Sequence, residues 1–308
     1  MKKEKLKIRI GKETFKSPIW AASGTFGRGK EFEDFMDLGM LGAIVTKTVT
    51  LNEREGNKPP RTVETSSGLL NSIGLENKGV DHFIKEYLPE LKTIKTKIVV
   101  SIAGSMVKEF TECAIKIMSG KARPAALEIN LSCPNVSHGK TKYKLLAQDP
   151  TETEKIIRSI KKAVKGVIIA KLSPNVTDIT EIAKAAEAGG ADAVALVNTY
   201  MGIAIDPIKM KPILGNITGG LSGPAIKPLA LKAVWECYTK IKIPIIGIGG
   251  IMTGEDAAEF ILCGASAVQI GTANLVSADA CQRITKELED YLKKQKIKNV
   301  TSLVGKAH

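Results

Sequence analysis

Short apolar runs that alternate with amphipathic helical stretches constrain the fold of this chain more than any other feature. A repeated order of strand and helix is typical of parallel strands joined by helical crossovers. Eight strands are predicted, at residues 18–23, 43–49, 97–103, 126–132, 167–172, 193–198, 244–249 and 267–271. Most are almost continuously apolar, as expected of strands buried on both faces. Eight strand–helix units close naturally into a (β/α)8 barrel of the TIM type, so the predicted fold class is α/β.

The remaining segments fit around such a barrel. Residues 6–16 alternate apolar and polar side chains around Gly11-Lys12, which predicts a β-hairpin that caps the bottom of the barrel. Three long connections, 50–78, 134–149 and 199–222, follow strands at the C-terminal face, where barrel enzymes place their active sites. An open, doubly wound sheet is the alternative, although it usually has fewer strands and a glycine fingerprint after the first one. Because barrels of roughly 250 residues routinely form one domain, residues 1–308 are expected to form a single domain.

Charge and composition narrow the class of protein. Hydrophobic residues make up 44% and charged residues 25% of the chain, which excludes disordered and fibrous classes. A net charge of +13 would suit an anionic ligand or nucleic acid. The lysines are scattered along helical stretches without interleaved aromatics, so no nucleic-acid partner is predicted. No apolar run approaches the roughly 20 residues needed to cross a bilayer, so a soluble protein without a membrane partner is expected.

The cysteines point to a reducing compartment and to one exceptional position. They form an odd set of five without a CxxC pair, and no signal peptide precedes them: Cys113, Cys133, Cys237, Cys263 and Cys281. This favours the cytoplasm and disfavours disulfides, cysteine-ligated clusters and a metal site. A buried cysteine is usually inert packing. Cys133 is predicted to differ, because Pro134 ends a strand there and turns Cys133 toward the catalytic face.

Lysines and glycines mark the same face of the predicted barrel. Lys47 and Lys171 fall inside apolar strands near their C-terminal ends, where an unpaired ammonium is costly to bury. Each is therefore expected to have an anionic partner, either a ligand or a carboxylate in a structural ion pair. Glycines after the seventh and eighth strands let backbone N–H groups approach a phosphate, although a lone pair of glycines is more often a turn.

Several separate motifs, spread over essentially the whole barrel, resemble those of the class 1 dihydroorotate dehydrogenases. The segment from Asn130 to Asn135 (NLSCPN) resembles the catalytic segment of that family, in which cysteine is the base. The membrane-associated class 2 enzymes have serine at that place. The segment from Asn71 to Leu75 (NSIGL) resembles the substrate loop, and Lys47-Thr48 resembles the pair that contacts substrate and flavin. Residues 219–224, 247–250 and 271–272 resemble the flavin-binding loops.

The resemblance implies FMN as cofactor and the oxidation of dihydroorotate to orotate, a step of pyrimidine biosynthesis. Cys133 would take the proton from C5 while a hydride leaves C6 for the flavin. The implied substrate-binding residues are Lys47, Asn71, Ser72, Ile73, Gly74, Leu75, Asn130, Asn198 and Thr199. The implied cofactor-binding residues are Ala22, Ser23, Gly24, Lys47, Thr48, Ser101, Asn130, Lys171, Val197, Gly223, Gly249, Gly250, Gly271 and Thr272.

Three details qualify these assignments. Any one of the asparagines taken singly could instead cap a loop. Ser101 stands where the family commonly has asparagine, so one flavin hydrogen bond is expected to be shorter or replaced by water. An ordinary cysteine is mostly a neutral thiol at neutral pH, so the rate is expected to climb with pH unless nearby lysines favour the thiolate.

Other functions stay open at this point. A tRNA dihydrouridine synthase is also a flavin barrel with a catalytic cysteine, and the +13 charge would suit it. Such an enzyme is expected to carry an RNA-binding extension, whereas the barrel units are expected to account for this chain. A flavin-binding protein without catalysis is disfavoured by the complete set of Lys47, Asn71, Asn130 and Cys133.

The electron acceptor divides the class 1 enzymes. Class 1A enzymes reduce fumarate, whereas class 1B enzymes pass electrons through a partner subunit to NAD. Residues 136–140 (VSHGK) resemble the class 1B version more closely. This implies a homodimer of the chain joined to a subunit that carries FAD and a [2Fe-2S] cluster, in a heterotetramer.

Overall fold

A computed structural model describes residues 5–91, 93–120, 122–132 and 148–308. In chain order the described strands are β1 (Ile8–Ile10), β2 (Glu13–Phe15), β3 (Ile19–Ala21), β4 (Ala43–Val45), β5 (Val49–Thr50), β6 (Thr62–Thr65), β7 (Gly68–Asn71), β8 (Lys97–Ala103), β9 (Ala126–Asn130), β10 (Val167–Lys171), β11 (Ala193–Leu196), β12 (Tyr200–Ile203), β13 (Ile205–Asp206), β14 (Lys211–Pro212), β15 (Thr218–Ser222), β16 (Ile245–Ile248) and β17 (Ala265–Ile270).

The described α-helices are α1 (Val80–His82), α2 (Leu88–Leu91), α3 (Val107–Ser119), α4 (Pro150–Ala163), α5 (Ile179–Ala188), α6 (Lys227–Tyr238), α7 (Gly254–Leu262), α8 (Ala273–Val276) and α9 (Ala280–Lys294). A π-helical turn, Phe83–Tyr87, joins α1 to α2. Short 3-10 helices lie at Lys30–Phe32, Leu38–Met40, Pro224–Ile226 and Val300–Leu303.

Eight parallel strands close into a barrel. Around the ring the order is β3, β4, β8, β9, β10, β11, β16 and β17, and β17 pairs with β3 to complete the circle. These are the eight strands predicted from the apolar runs, so the predicted (β/α)8 barrel is confirmed. Parallel strands end at one rim, and all eight C-terminal ends therefore face the same side.

The outer helices bury one apolar stripe each against this barrel. In α4 the buried side chains include Ile156, Ile157 and Ile160, and in α9 they include Leu288 and Leu292. These positions recur at helical spacing, while lysines and glutamates occupy the opposite faces. The amphipathic sequence thus fixes which side of each helix packs on the strands.

The N-terminal hairpin caps the lower end of the barrel. Strands β1 and β2 pair antiparallel around Gly11. The nearest atoms to the Cβ position of Gly11 belong to Asp192 and Val167, which lie where β11 and β10 begin. Phe15 is fully buried, with its ring centroid 4.4 Å from that of Trp20. The predicted hairpin and its place at the barrel bottom are both confirmed.

Two of the long connections form a second sheet over the C-terminal rim. Segment 50–78 contributes β6 and β7, segment 199–222 contributes β12 and β15, and the sheet order is β12-β15-β7-β6. The two segments meet where β7 pairs antiparallel with β15, with Asn71 opposite Gly220. The loops are therefore ordered by pairing with each other. Of the third connection, 134–149, only the last two residues fall within the described part of the chain.

Helix α5 begins with an N-cap residue, Asp178. The carboxylate of Asp178 accepts a hydrogen bond from the backbone N–H of Thr180 at 2.8 Å. The hydrogen bonds from Thr180 lower the pKa of Asp178 below its usual 3.8. Asp178→Ala should lower the free energy of unfolding by about 1 kcal/mol at pH 7, the usual value of an N-cap.

Asp178→Asn should cost much less, because asparagine caps equally well. A carboxylate whose pKa is lower in the folded state contributes stability above its unfolded pKa and loses it as the pH falls through the folded value. The difference between wild type and the alanine variant should therefore shrink below about pH 3.8. Urea unfolding at pH 7 and at pH 3 measures both effects. Equal stability of the alanine and asparagine variants at pH 7 would contradict the capping role.

Candidate active site at the C-terminal rim

A cavity of about 670 Å³ opens at the C-terminal rim of the barrel, beneath the β12-β15-β7-β6 sheet. Its volume lies within the range of about 300–1,000 Å³ that is usual for small-molecule and cofactor sites. All nine predicted substrate-binding residues line it, as do all the predicted cofactor-binding residues except Ser101. The structure thus brings together side chains from seven of the eight barrel strands or the loops that follow them.

Two side-chain amides and a hydroxyl meet at the floor of the cavity. The Nδ2 of Asn198 donates to the Oδ1 of Asn130 at 3.4 Å, and the Nδ2 of Asn130 donates to the Oγ1 of Thr48 at 3.5 Å. The backbone N–H of Ser132 donates to the same Asn130 oxygen at 3.2 Å. These separations exceed the usual 2.9–3.0 Å of a strong N–H···O bond. The cluster is therefore held in place but keeps hydrogen-bonding capacity for a polar ring in the cavity.

The sheet above the rim forms the opposite wall. Asn71 ends β7, and its Nδ2 donates to the carbonyl of Gly220 on β15 at 3.3 Å. Asn57 fixes the next turn, since its Nδ2 donates to the carbonyl and the hydroxyl of Ser72. A Cβ on Gly74, where φ is +77°, would lie 2.6 Å from the backbone nitrogen of Asn57. Glycine is thus required at this position for residues 71–75 to curve over the cavity.

Lys47 differs from its prediction. We expected it inside a strand and buried, but it follows β4, which ends at Val45, and its side chain is exposed within the cavity mouth. Lys47 lies in the break between β4 and β5, both of which pair with β8, and the preceding Thr46 is still bonded to β8 through its backbone N–H and its hydroxyl. No carboxylate in the described ranges lies within ion-pair distance of Lys47. Its ammonium is therefore available to an anionic ligand.

Lys171 lies in a barrel strand and is buried, as predicted. It also forms a structural ion pair with a carboxylate, which was the alternative to a contact with a ligand. It ends β10, the residue is only 6% exposed, and it lines the cavity. Its Nζ lies 3.6 Å from the Oε1 of Glu128, a carboxylate that is fully buried inside the barrel. Lys171 is thus at once part of the cavity floor and one member of a structural ion pair.

Glycine-rich loops build the end of the cavity formed by the last two strands. Gly223, Gly249 and Gly250 all have positive φ, which side chains other than glycine rarely adopt. Thr272 joins two of these loops, because its hydroxyl donates to the hydroxyl of Ser222 at 2.8 Å. A Cβ on Gly271 would meet only ordinary contacts at 3.8–4.0 Å, and Gly271 lines the cavity. This is where barrels commonly bind phosphate through backbone N–H groups.

Ser101 lies behind the cavity wall. It is fully buried in β8, and its hydroxyl shares a hydrogen bond of 3.0 Å with the hydroxyl of Thr48. Thr48 in turn lies 3.3 Å from the hydroxyl of Ser23, and both Thr48 and Ser23 line the cavity. Ser101 reaches the site through Thr48, and its direct contact with a flavin stays a prediction.

Cys133 falls outside the described residues, but its neighbour Ser132 lines the cavity. The other four cysteines lie in or at the ends of helices. Burial raises the pKa of Cys113, Cys237 and Cys281 to about 12, and burial with the nearby charge of Glu259 raises that of Cys263. None of these four lines the cavity, so they are unsuited to proton transfer there.

Several lining residues escaped the sequence analysis. Asn175 donates to the carbonyl of Thr199 and accepts the backbone N–H of Met201, both at 2.9 Å, so it fixes the start of the 199–222 segment. Arg54 lines the cavity while one of its nitrogens donates to the hydroxyl of Ser105. Asn175 follows Pro174 directly after a strand, which is the signal that could have identified it. Arg54 had no such signal beyond its place in a long loop.

No group of three or more His, Cys, Asp or Glu side chains within the described ranges is placed to hold a metal ion. None of the helices in the described part of the chain is long and apolar enough to cross a membrane.

Comparison with known proteins gives a family for the whole chain. A family profile described as Dihydroorotate dehydrogenase matches residues 5–292. A protein of Parabacteroides distasonis is 48% identical over 300 residues, which cover 97% of each chain. A protein of Desulforamulus reducens is 48% identical over 98% of each chain, and one of Citrifermentans bemidjiense is 46% identical over 99% of each. All three are named "Dihydroorotate dehydrogenase B (NAD(+)), catalytic subunit".

The space beside Gly271 supplies a test of the predicted FMN site. Gly271→Ala should leave the stability of the flavin-free protein unchanged, because the added Cβ meets only ordinary contacts of 3.8–4.0 Å. It should weaken FMN binding by about tenfold or more, equivalent to about 1.4 kcal/mol, if a phosphate approaches this backbone. Titration of the flavin-free protein with FMN, followed by flavin fluorescence, measures the affinity.

Gly120→Ala is the matched control, since its Cβ also meets nothing nearer than 3.8 Å and it lies at the end of α3, away from the cavity. This variant should bind FMN as the wild type does. An unchanged FMN affinity in Gly271→Ala would place the phosphate elsewhere.

Proposed function

This chain belongs to the dihydroorotate dehydrogenase family, and we propose that it is a flavin-dependent catalytic subunit that oxidises dihydroorotate to orotate in pyrimidine biosynthesis. The observation that carries the proposal is one cavity in which the amide cluster, three cationic side chains and the glycine loops meet. Relatives at 45–48% identity that are named catalytic subunits of the NAD-linked enzyme favour NAD over fumarate as the final acceptor.

The cavity fits a flavin mononucleotide. The loops around Gly223, Gly250 and Gly271 offer backbone donors for one phosphate, and Gly24 also borders open space. Ser23, Thr48 and Lys171 also line the cavity and would contact the ring system. When bound, the flavin supplies the hydride acceptor of the reaction. We propose FMN rather than a dinucleotide, because the sequence has no fingerprint for the pyrophosphate of a dinucleotide.

The chain's own residues bind and orient the substrate. The ammonium of Lys47, which has no carboxylate partner in the described ranges, would bind the carboxylate of dihydroorotate. The amides of Asn71, Asn130 and Asn198 would hold the ring nitrogens and carbonyls from two sides, since β7 lies above the floor formed by the barrel strands. Residues 72–75 would exclude water from that face.

Cys133 is the proposed base. It directly follows Ser132, which lines the cavity, and the four described cysteines are buried or distant with raised pKa values. Its thiolate would remove the proton from C5 while the hydride leaves C6. The reaction then gives orotate, one proton at the Cys133 sulfur and one hydride, which carries the two electrons and the second proton until an acceptor takes them.

The electrons need a route out of the chain. The five cysteines lack the close spacing that a [2Fe-2S] centre usually requires, and we propose that residues 1–308 form one FMN-binding domain. The term catalytic subunit in the names of the relatives implies a partner. We propose that a subunit with FAD and a [2Fe-2S] cluster receives the electrons, that two copies of this chain form the core of a heterotetramer, and that the complex is cytoplasmic.

Cys133→Ala tests the base directly. The variant should keep orotate and flavin binding but slow reduction of the flavin by dihydroorotate by about 10²–10⁴-fold, the usual contribution of a general base. Stopped-flow absorbance under anaerobic conditions measures this rate. Cys263→Ala, a change at a partly exposed cysteine outside the cavity, should leave the rate unchanged. A loss of less than tenfold in Cys133→Ala would mean that another group is the base.

The isolated chain should reduce NAD slowly and should do so rapidly only when the partner subunit is added. The test is an anaerobic assay with dihydroorotate against NAD, fumarate and an artificial dye, without and then with the partner. Rapid dye reduction by the chain alone would show that the flavin half-reaction is intact. Fast NAD reduction by the chain alone would overturn the need for a partner, and robust fumarate turnover would assign the protein to class 1A.

A further inference from the structure

A polar cluster lies one layer below the cavity floor, inside the barrel. Its members are Glu128 on β9, Lys171 on β10 and Gln269 on β17. In the ring of eight strands, β17 lies directly across from β9, so the hydrogen bond from Gln269 Nε2 to Glu128 Oε2, at 2.6 Å, spans the barrel interior. Glu128 and Gln269 are fully buried, and their side chains replace the branched apolar residues usual in such layers.

The register of the strands places this cluster relative to the cavity. Glu128 pairs with Ile169 of β10, and Asn130 pairs with Lys171, two residues nearer the C-terminal rim. Side chains two residues apart point to the same face of a strand. Glu128 therefore lies directly beneath the level of Asn130 and Lys171, both of which line the cavity.

The bonding of Glu128 is unequal at its two oxygens. Oε2 accepts the amide of Gln269, whereas Oε1 accepts no hydrogen bond from the described residues and faces Lys171 Nζ at 3.6 Å. That separation is longer than the roughly 2.7–2.9 Å of a direct ammonium–carboxylate hydrogen bond. The ammonium is thus attracted by Glu128 but donates no hydrogen bond to it, and its protons stay available to a group in the cavity.

The charges that line the cavity are all positive. Lys47, Arg54 and Lys171 line it, and no Asp or Glu is among the described lining residues. Glu128 is therefore the counter-charge buried next to the floor. Within a low-dielectric interior, the charge at the floor is set by the balance of Lys171 and Glu128.

We propose that Glu128 is a positioning residue that acts through Lys171, partly neutralising its ammonium at the cavity floor and so setting the relative affinity for oxidised and reduced flavin. The inference rests on the proposed flavin-dependent function. Two-electron reduction adds negative charge to the bound ring, which Lys171 stabilises and Glu128 opposes. Removal of the Glu128 charge should therefore favour the reduced form.

The test is the midpoint potential of the bound flavin in Glu128→Gln, a change that preserves shape and removes the charge. The purified flavoprotein is reduced anaerobically by xanthine oxidase with a redox dye of known potential, without dihydroorotate. The reduced form should gain at least tenfold over the oxidised form, a rise of about 30 mV for a two-electron couple. An unchanged or lower potential would overturn the proposal.

Asp192→Asn is the matched control. Asp192 forms a partly buried ion pair with Lys161 at the opposite, N-terminal end of the barrel. Its loss should reduce stability without moving the potential. A shift as large as that of Glu128→Gln would mean that the effect follows from a loosened barrel, and the proposal would fail.

A double variant tests whether Glu128 acts through Lys171. In a Lys171→Met protein no ammonium remains for Glu128 to neutralise. Adding Glu128→Gln to Lys171→Met should then leave the potential unchanged, and a further tenfold shift would overturn action through Lys171. If Glu128→Gln does not fold, Gln269→Met, which frees the carboxylate to pair more closely with Lys171, should lower the potential, and an unmoved potential there would overturn the proposal.

These outcomes separate this inference from the proposed function. A chain that binds no flavin would fail the proposed function itself. A flavoprotein whose potential does not respond to Glu128 would fail only the inference.

Discussion

Closure of the eight parallel strands is the constraint on which the whole site depends. Because β4 pairs with both β3 and β8, and β17 returns to β3, the strand ends form one rim. Residues far apart in the chain, such as Thr48, Asn198 and Gly271, are brought to one cavity by that closure alone. The apolar strand interiors and the buried faces of the outer helices make the ring stable, and the rim is left free for polar groups.

The rim combines rigid and adaptable parts. The amides at the floor stand on strand ends, while the opposite wall is a separate sheet of β6, β7, β12 and β15 joined through the pairing of Asn71 with Gly220. The positive lining of the cavity suits anionic ligands, namely a carboxylate and a phosphate. Its cost, a buried ammonium at Lys171, is offset by a carboxylate in the layer below.

Much of this could be predicted from the sequence, because the strands are nearly continuous apolar runs and the motifs are local. All eight barrel strands and the hairpin lie where they were predicted to lie. Of the twelve predicted cofactor-binding residues other than Lys47 and Asn130, eleven line the cavity. The class 1B interpretation is confirmed by the comparisons. The FMN cofactor and the role of Cys133 stay predictions.

What the sequence did not reveal depends on contacts between distant segments. The pairing of β7 with β15 joins residues about 150 positions apart, and neither segment carries a signal for the other. Lys47 was expected to be buried because its neighbours are apolar, but it lies in the break between β4 and β5 and is exposed. The depth of Ser101 behind Thr48, and the partnership of Glu128 with Gln269 across the barrel, likewise require the closed ring.

The central claim is that this cavity holds a flavin which dihydroorotate reduces. The most direct measurement is the visible spectrum of the purified flavoprotein as dihydroorotate is added without oxygen. The account predicts stoichiometric bleaching of the flavin absorbance with formation of one orotate for each flavin. A flavin that stays oxidised with dihydroorotate, although dithionite reduces it, would contradict the account.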